Sequence, residues 1–249
     1  MSIKEKLKNN EQVFGTWCII PSPEVVNIMA KAGLDFVIVD FEHSPVDFIT
    51  AQKMIMAAKA EGKDAVVRVG RLEETEILRV LDIGPDGIII PHIASVEDAQ
   101  KALNYIKYPP KGVRGYSPYT RSGGYSVQPN YTSNENDRVA VGIIVEGEDG
   151  IKNLPEIVKI EDIDIVYLGA YDISSILGLP GQINHPKVKE LLEKCIADCQ
   201  KANKTVGCLF HTEEDYKYFT NLNVNFLVYK VDSAVLYNGF EFIRKIKEV

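Results

Sequence analysis

Long apolar runs are missing from this sequence. No stretch of about 18 consecutive apolar residues occurs, so no segment is expected to cross a membrane. Cysteine is scarce, and Cys18, Cys195, Cys199 and Cys208 form neither a C-x-x-C pair nor a zinc-finger spacing. Cys195 and Cys199 fall four apart on an expected helix and share a face. All four read as reduced thiols of a cytoplasmic protein. Positive charge is also in deficit, with 28 Lys and Arg against 35 Asp and Glu, a formal net charge of -7. That balance argues against a nucleic-acid or anionic-membrane partner, although a local Arg can still hold a small anion. The first ten residues, MSIKEKLKNN, lack an apolar run, so no secretory signal is expected. No G-x-G-x-x-G follows the first strand-like segment, which weakens a dinucleotide-binding reading.

What is present is a regular alternation. Short apolar runs at 13–19, 36–40, 65–69, 87–91, 139–145, 163–168, 205–209 and 225–229 read as strands. Helical spacing of apolar residues marks 23–31, 48–61, 73–81, 96–106, 150–158, 186–202, 213–222 and 234–246. Runs that are almost continuous in Val, Ile and Leu are buried on both faces, as parallel strands are. Eight strand–helix units in 249 residues predict one α/β domain over 1–249, a (β/α)8 TIM barrel. One segment breaks the rhythm. Residues 108–137, YPPKGVRGYSPYTRSGGYSVQPNYTSNEND, hold five Tyr and show no clear period; a loop this long is usually functional or an interface.

In a parallel barrel the chemistry gathers where the strands end. The first run carries Trp17 and the second ends in Asp40, Glu42 and His43. The others end at Arg68, His92, Glu146, Gly169-Ala170-Tyr171-Asp172, His211, and Lys230 with Asp232. Seven of eight ends thus carry ionisable groups, which is a site expectation rather than a surface accident.

Glu146 and Asp172 end adjacent strands, so their carboxylates share either a divalent cation or a proton. Two carboxylates with positions left for water and substrate suit Mg2+ or Mn2+. Ion pairs of these acids with Arg68 or Lys230 are the structural alternative. An Arg at the end of a buried strand faces a permanent anion or a developing oxyanion, and Arg68 can equally pair with Asp40 or Glu42. His43 is the best candidate base, with Asp40 or Glu42 to fix its tautomer or to hold a cation's water shell. His92 and His211 have weaker context, and His185, in GQINHP, reads as a turn residue.

Taken together these residues resemble the HpcH/HpaI family of class II, metal-dependent 2-keto acid aldolases. The match comprises FGTW at 14–17, VDFEHSP at 39–45, VVRVG at 66–70, LDIGPDGIIIPHI at 81–93, YPPKGVRGYSP at 108–118 and LGAYDISSILGLPG at 168–181. Glu146 followed by a helix ending NLPEI completes it, and the whole covers nearly the full chain.

The resemblance implies a pyruvate-type barrel with an exchanged C-terminal helix, assembled as hexamers built from dimers. It implies Glu146 and Asp172 as ligands of a divalent cation, Mg2+ with Mn2+ or Co2+ as alternatives. It implies Arg68 as the group that stabilises the enolate oxygen, His43 as base, and the amides of Tyr171 and Asp172 as the seat of the keto-acid carboxylate. Trp17, Glu42, Gly169, Ala170 and Tyr171 then line the substrate. Asp82 corresponds to an acid that raises the basicity of the family histidine. It stands on the opposite rim of its own barrel, so a neighbouring subunit has to supply it.

Two departures are visible: Ile144 where members often carry Gln, and Ala170-Tyr171 where they often carry Pro-Ala or Pro-Asn. They leave metal binding in place and name no particular dicarboxylate or sugar acid. The implied reaction makes or cleaves a 4-hydroxy-2-oxo acid, with pyruvate or a related keto acid and an aldehyde as partners. The competing readings are a Schiff-base aldolase using Lys230, a citrate lyase or malyl-CoA lyase-like enzyme, and a keto-acid-binding relative without turnover.

Overall fold

The computed structural model describes residues 1–247. Its centre is a closed parallel barrel of eight strands, ordered as in the chain. They are β1 (Val13–Cys18), β2 (Phe36–Asp40), β3 (Asp64–Arg68), β4 (Gly87–Ile93), β5 (Ala140–Val145), β6 (Ile165–Leu168), β7 (Thr205–Phe210) and β8 (Phe226–Val231). Outside lie α2 (Pro23–Lys31), α3 (Phe48–Ala60), α4 (Glu74–Asp82), α5 (Val96–Ile106), α7 (Gly147–Ile157), α9 (Pro186–Lys201), α10 (Glu213–Asn221) and α11 (Asp232–Lys247). The expected (β/α)8 architecture is therefore the observed one. Three short helices were not expected: α1 (Ile3–Lys8), α6 (Tyr131–Arg138) and α8 (Ala170–Ile176).

The period of two along each strand sorts the side chains into two cores. In β2, Val37 and Val39 pack outward under the helices, while Phe36 and Ile38 point into the barrel. The Phe36 and Phe226 rings stack there, with centroids 4.3 Å apart. They leave β1 room only for glycine at position 15, where a Cβ would stand 2.3 Å from the Phe36 ring.

The lower mouth is plugged by α1. Ser2 and Glu5 cap that helix reciprocally, and its Ile3 and Leu7 join the interior cluster. Lys4 ties it down through the Val139 carbonyl at 3.0 Å and Asp164 at 2.9 Å. Side chains of α1 thus fill the barrel axis at this end, and the polar and charged strand ends gather at the opposite mouth.

The tyrosine-rich segment docks at the filled end. The Ser122 amide donates to the Asp82 carbonyl at the foot of α4 (3.1 Å), and the Tyr131 hydroxyl donates to Ser122. The rings of Tyr108, Tyr116 and Tyr131 lie within 5.9 Å of one another, and the Arg114 guanidinium stacks 4.4 Å over Tyr108. This loop therefore does not cap the catalytic mouth of its own barrel.

Helix α11 is anchored at its first residue, where buried Asp232 accepts from the amides of Ile19, Ile20 and Ser233. Beyond that anchor it is apolar and exposed at Tyr237, Phe240, Phe242, Ile243 and Ile246. None of the described helices is long and apolar enough to cross a membrane. All four cysteines are buried and free, and burial raises the Cys195 thiol to about 11 and the Cys199 thiol to about 12, which keeps both inert.

Candidate active site

The same alternation that builds the interior carries it into chemistry at the open mouth. Counting by twos from Phe36 and Ile38 brings Asp40 inward. Val66 leads likewise to Arg68, Ile144 to Glu146, and Val13 through Gly15 to Trp17. Arg68 is the centre of this layer. Its Nε donates to Asp40 Oδ1 at 2.8 Å and its Nη2 to Oδ2 at 2.5 Å, a bidentate fork on a fully buried carboxylate. The guanidinium lies 4.3 Å over the Trp17 ring, whose indole donates to the Tyr167 hydroxyl at 3.2 Å. Arg68 Nη1 stands 2.9 Å from Glu42 Oε2. That contact is an ion pair without hydrogen-bond geometry, so Oε2 stays buried with no hydrogen bond.

Asp40 is thus committed to Arg68 and to the Glu42 amide (2.9 Å), and does not orient His43 as the sequence suggested. His43 is 70% exposed at the side chain, and its nearest acid is Glu42, 3.9 Å away. The structure instead brings in His92. Its Nε2 lies 2.8 Å from Glu42 Oε1 and its Nδ1 2.6 Å from Glu146 Oε1, and its amide donates to the same Glu146 oxygen at 2.7 Å. The residue reaches that position because β4 slips register between Ile90 and Ile93 and His92 adopts φ 58°. A bulge of this kind re-aims a side chain, and it gives His92 a firmer place than its weaker sequence context offered.

Glu146 caps the start of α7 and Asp172 lies in the first turn of α8, on the adjacent strand end. Burial pushes the Glu146 carboxyl up, and the charges of Asp172 and Glu42 add to the rise. Gly169 lets the Asp172 carboxylate fold back over the chain, since a Cβ there would displace Asp172 Oδ2. The first turn of α8 has no side-chain cap, so its amides are open to an anion. Tyr171 turns its hydroxyl to His211 Nε2 at 3.2 Å.

Asp40, Glu42, Glu146 and Asp172 bring four carboxylates to this mouth, and only Asp40 and Glu42 are paired with Arg68. An excess of oxygen donors, one of them buried without a hydrogen bond, fits a hard divalent cation. No group of three or more His, Cys, Asp or Glu placed to hold a metal ion occurs among the described residues. Asp82 stands on the far rim, 3.0 Å from Arg114, its carboxyl raised by burial.

The family model for HpcH/HpaI aldolase/citrate lyase matches residues 14–238. This chain belongs to the HpcH/HpaI family. A pyruvate aldolase of Rhizobium etli is 32% identical over 238 residues, covering 96% of this chain and 94% of the relative. A 4-hydroxy-2-oxo-heptane-1,7-dioate aldolase of Shigella sonnei is 30% identical, with 96% and 92% covered. The crystal structure of an HpcH/HpaI aldolase from Desulfitobacterium hafniense superposes with a TM-score of 0.92 at 28% identity, covering 100% of this chain and 98% of that one. In this HpcH/HpaI barrel, Trp17, Asp40, Glu42, Arg68, Glu146 and Asp172 share one mouth, as the sequence suggested. His92, placed on the rim by the sequence but with weaker context than His43, is the histidine that the structure joins to Glu42 and Glu146.

Proposed function

We propose that this chain is a divalent-metal-dependent aldolase that makes or cleaves a 4-hydroxy-2-oxo acid, with pyruvate or a related 2-keto acid as one product. The observation that carries the reading is Arg68, gripped by Asp40 and aimed into a mouth lined by Glu146 and Asp172. The activities of the relatives in Rhizobium etli and Shigella sonnei support it. A cation held by Glu146 and Asp172 would act as a Lewis acid on the C2 carbonyl, with Mg2+, Mn2+ and Co2+ all suited to an oxygen site.

The chain's own groups do the rest. The amides of Tyr171 and Asp172, at the uncapped start of α8, receive the keto-acid carboxylate. His43, directly or through a water, takes the proton from the C4 hydroxyl. The C3–C4 bond then breaks, its electron pair becomes the enolate, and the aldehyde leaves. Arg68 faces the charge that develops on the C2 oxygen. Trp17 supports Arg68 from below, and Glu42 sets the side of the mouth next to His43.

The test is exchange of the methyl protons of pyruvate in D2O, followed by NMR. Exchange that stops with EDTA and returns with Mg2+, Mn2+ or Co2+ is the expected result. Exchange that persists in EDTA, together with borohydride trapping, would point to a Schiff base on Lys230 instead.

We further infer that the working form is an oligomer. The exposed apolar face of α11 supports a dimer that covers it, as in an exchanged-helix pair. The 70% exposure of His43, and the placement of Asp82 on the far rim, support Asp82 acting on His43 across a subunit contact. Co-expressed His43→Ala and Asp82→Asn chains are then expected to regain activity above the average of the two parent variants. No regain in purified hybrids would count against the cross-subunit role.

A further inference from the structure

The chemistry above gives His92 no task, although the backbone is bent to deliver it. Between the pairings of Ile90 with Ile143 and of Ile93 with Val145, β4 holds two residues, Pro91 and His92, where β5 holds one, Ile144. Pro91 has no amide to give to the ladder. His92 takes φ 58°, a conformation that few side chains other than Asn, Asp and His adopt. Uncommon backbone at a functional rim persists where its surroundings enforce it. Here Asn153 of α7 donates to the Ala94 carbonyl at 2.8 Å, which ties the end of the bulged strand to the helix that follows Glu146.

What the bulge delivers is a double grip on one oxygen. The His92 amide donates to Glu146 Oε1 at 2.7 Å, and the ring Nδ1 stands 2.6 Å from the same atom. Glu146 Oε2 takes no hydrogen bond or ion pair among the described residues. One carboxylate oxygen is held from two sides by a single residue, and the other is left for a ligand. On its far side the ring faces a second acid, with Nε2 2.8 Å from Glu42 Oε1. Glu42 Oε2 in turn stands 2.9 Å from Arg68 Nη1. An unbroken line of contacts therefore runs from Asp40 through Arg68, Glu42 and His92 to Glu146. His92 is not a third metal ligand in this arrangement, since no group of three such residues is placed to hold an ion among the described residues.

We propose that His92 is a positioning residue for the cation: it holds Glu146 Oε1 so that Oε2 is presented to the metal, and it registers that carboxylate against Arg68 through Glu42. The proposal rests on the metal-dependent reading above and adds to it a residue that acts through Glu146, touching neither the metal nor the keto acid. A carboxylate that turns freely must be ordered as the cation binds; one already held from two sides need not be. Contacts that orient a ligating carboxylate in this way are worth about 10–100-fold in metal affinity.

The test is Mn2+ affinity, read from the EPR signal of the free ion, for the wild type, His92→Gly and His92→Asn. Glycine and asparagine both accept φ 58°, so the bulge survives and loss of folding does not cloud the result. His92→Gly removes the ring and keeps the backbone amide; it is expected to weaken Mn2+ binding by about 10–100-fold. His92→Asn places a side-chain amide where Nδ1 stood and should regain most of that loss. Methyl-proton exchange of pyruvate should fall in His92→Gly at limiting Mn2+ and return toward the wild-type rate at saturating Mn2+. Unchanged or tighter Mn2+ binding by His92→Gly overturns the proposal, and so does an equal loss in both variants. Exchange that stays lost at saturating Mn2+ overturns it in favour of proton transfer by the ring. A ring-nitrogen coupling to bound Mn2+ in the wild type, absent from His92→Gly, overturns it in favour of direct ligation. If the wild type binds no Mn2+, the metal-dependent reading falls and this proposal with it; wild-type binding that both variants share removes this proposal alone.

Discussion

Glu146→Gln is expected to lower metal-dependent methyl-proton exchange of pyruvate by at least about 1,000-fold, while the fold survives. The substitution keeps the shape and one acceptor oxygen and removes the charge that a hard cation needs. Lewis-acid stabilisation supplies several kcal/mol, and ~4 kcal/mol corresponds to that loss. Glu146 is half-buried in the company of Asp172 and Glu42, whose charges already push its carboxyl up. Neutralising it relieves repulsion within the protein, so the melting temperature of the metal-free chain should hold or rise. Added Mg2+ should stabilise the wild type by mass action and leave Glu146→Gln unmoved. The control is Glu42→Gln. Glu42 pairs with Arg68 and His92 and adjoins Glu146 without being an assigned ligand, so its loss should cost less exchange and preserve the stabilisation by Mg2+. Equal behaviour of the two variants would sink the assignment of Glu146 to the cation.

The contrast between what was and was not readable in the chain has a common cause. The barrel was legible because the strands are short apolar runs, as in Phe36–Asp40, and because period two persists to the end of β2, β3 and β5. That persistence also placed Trp17, Asp40, Arg68 and Glu146 in one mouth. His92 was readable as a rim residue, but its contacts with Glu42 and Glu146 were not, because they depend on the register slip of β4 and on its positive φ. Lys230 was read as a strand-end residue, but its positive φ of 46° is a property of the fold alone. The pairing of Asp40 with His43 suggested by proximity in VDFEHSP did not form, because the nearer demand on Asp40 is the buried guanidinium of Arg68. Helix α6 was missed inside the tyrosine-rich loop because its sequence, YTSNENDR, has almost no apolar face to show a period. Helix α1 carries a readable capping box in Ser2 and Glu5, but six residues are too few for periodicity to declare themselves a helix.

Arg68→Lys is expected to lower kcat by about 100–1,000-fold, ~3–4 kcal/mol of transition-state stabilisation, with a much smaller change in KM. The charge is retained, so a simple field effect would predict little. What lysine cannot reproduce is the fork. Nε and Nη2 occupy both Asp40 oxygens, Nη1 meets Glu42, and the guanidinium plane rests on Trp17. Those contacts fix where the remaining N–H groups point, and preorganised donors are effective because they need not move as charge develops. Asp40→Asn separates positioning from stability. It leaves Arg68 in place with Glu42 as its remaining counter-charge but removes the charge of the forked, buried carboxylate, so unfolding stability should fall by about 1.5–3 kcal/mol. If Arg68 served only as a structural partner of Asp40, both variants would lower the melting temperature and neither would change kcat in the protein that remains folded. If Arg68 faces the developing oxyanion, Arg68→Lys acts on kcat far more than on the melting temperature, and Asp40→Asn acts on both. A pyruvate exchange assay run beside thermal denaturation on the two variants distinguishes these outcomes.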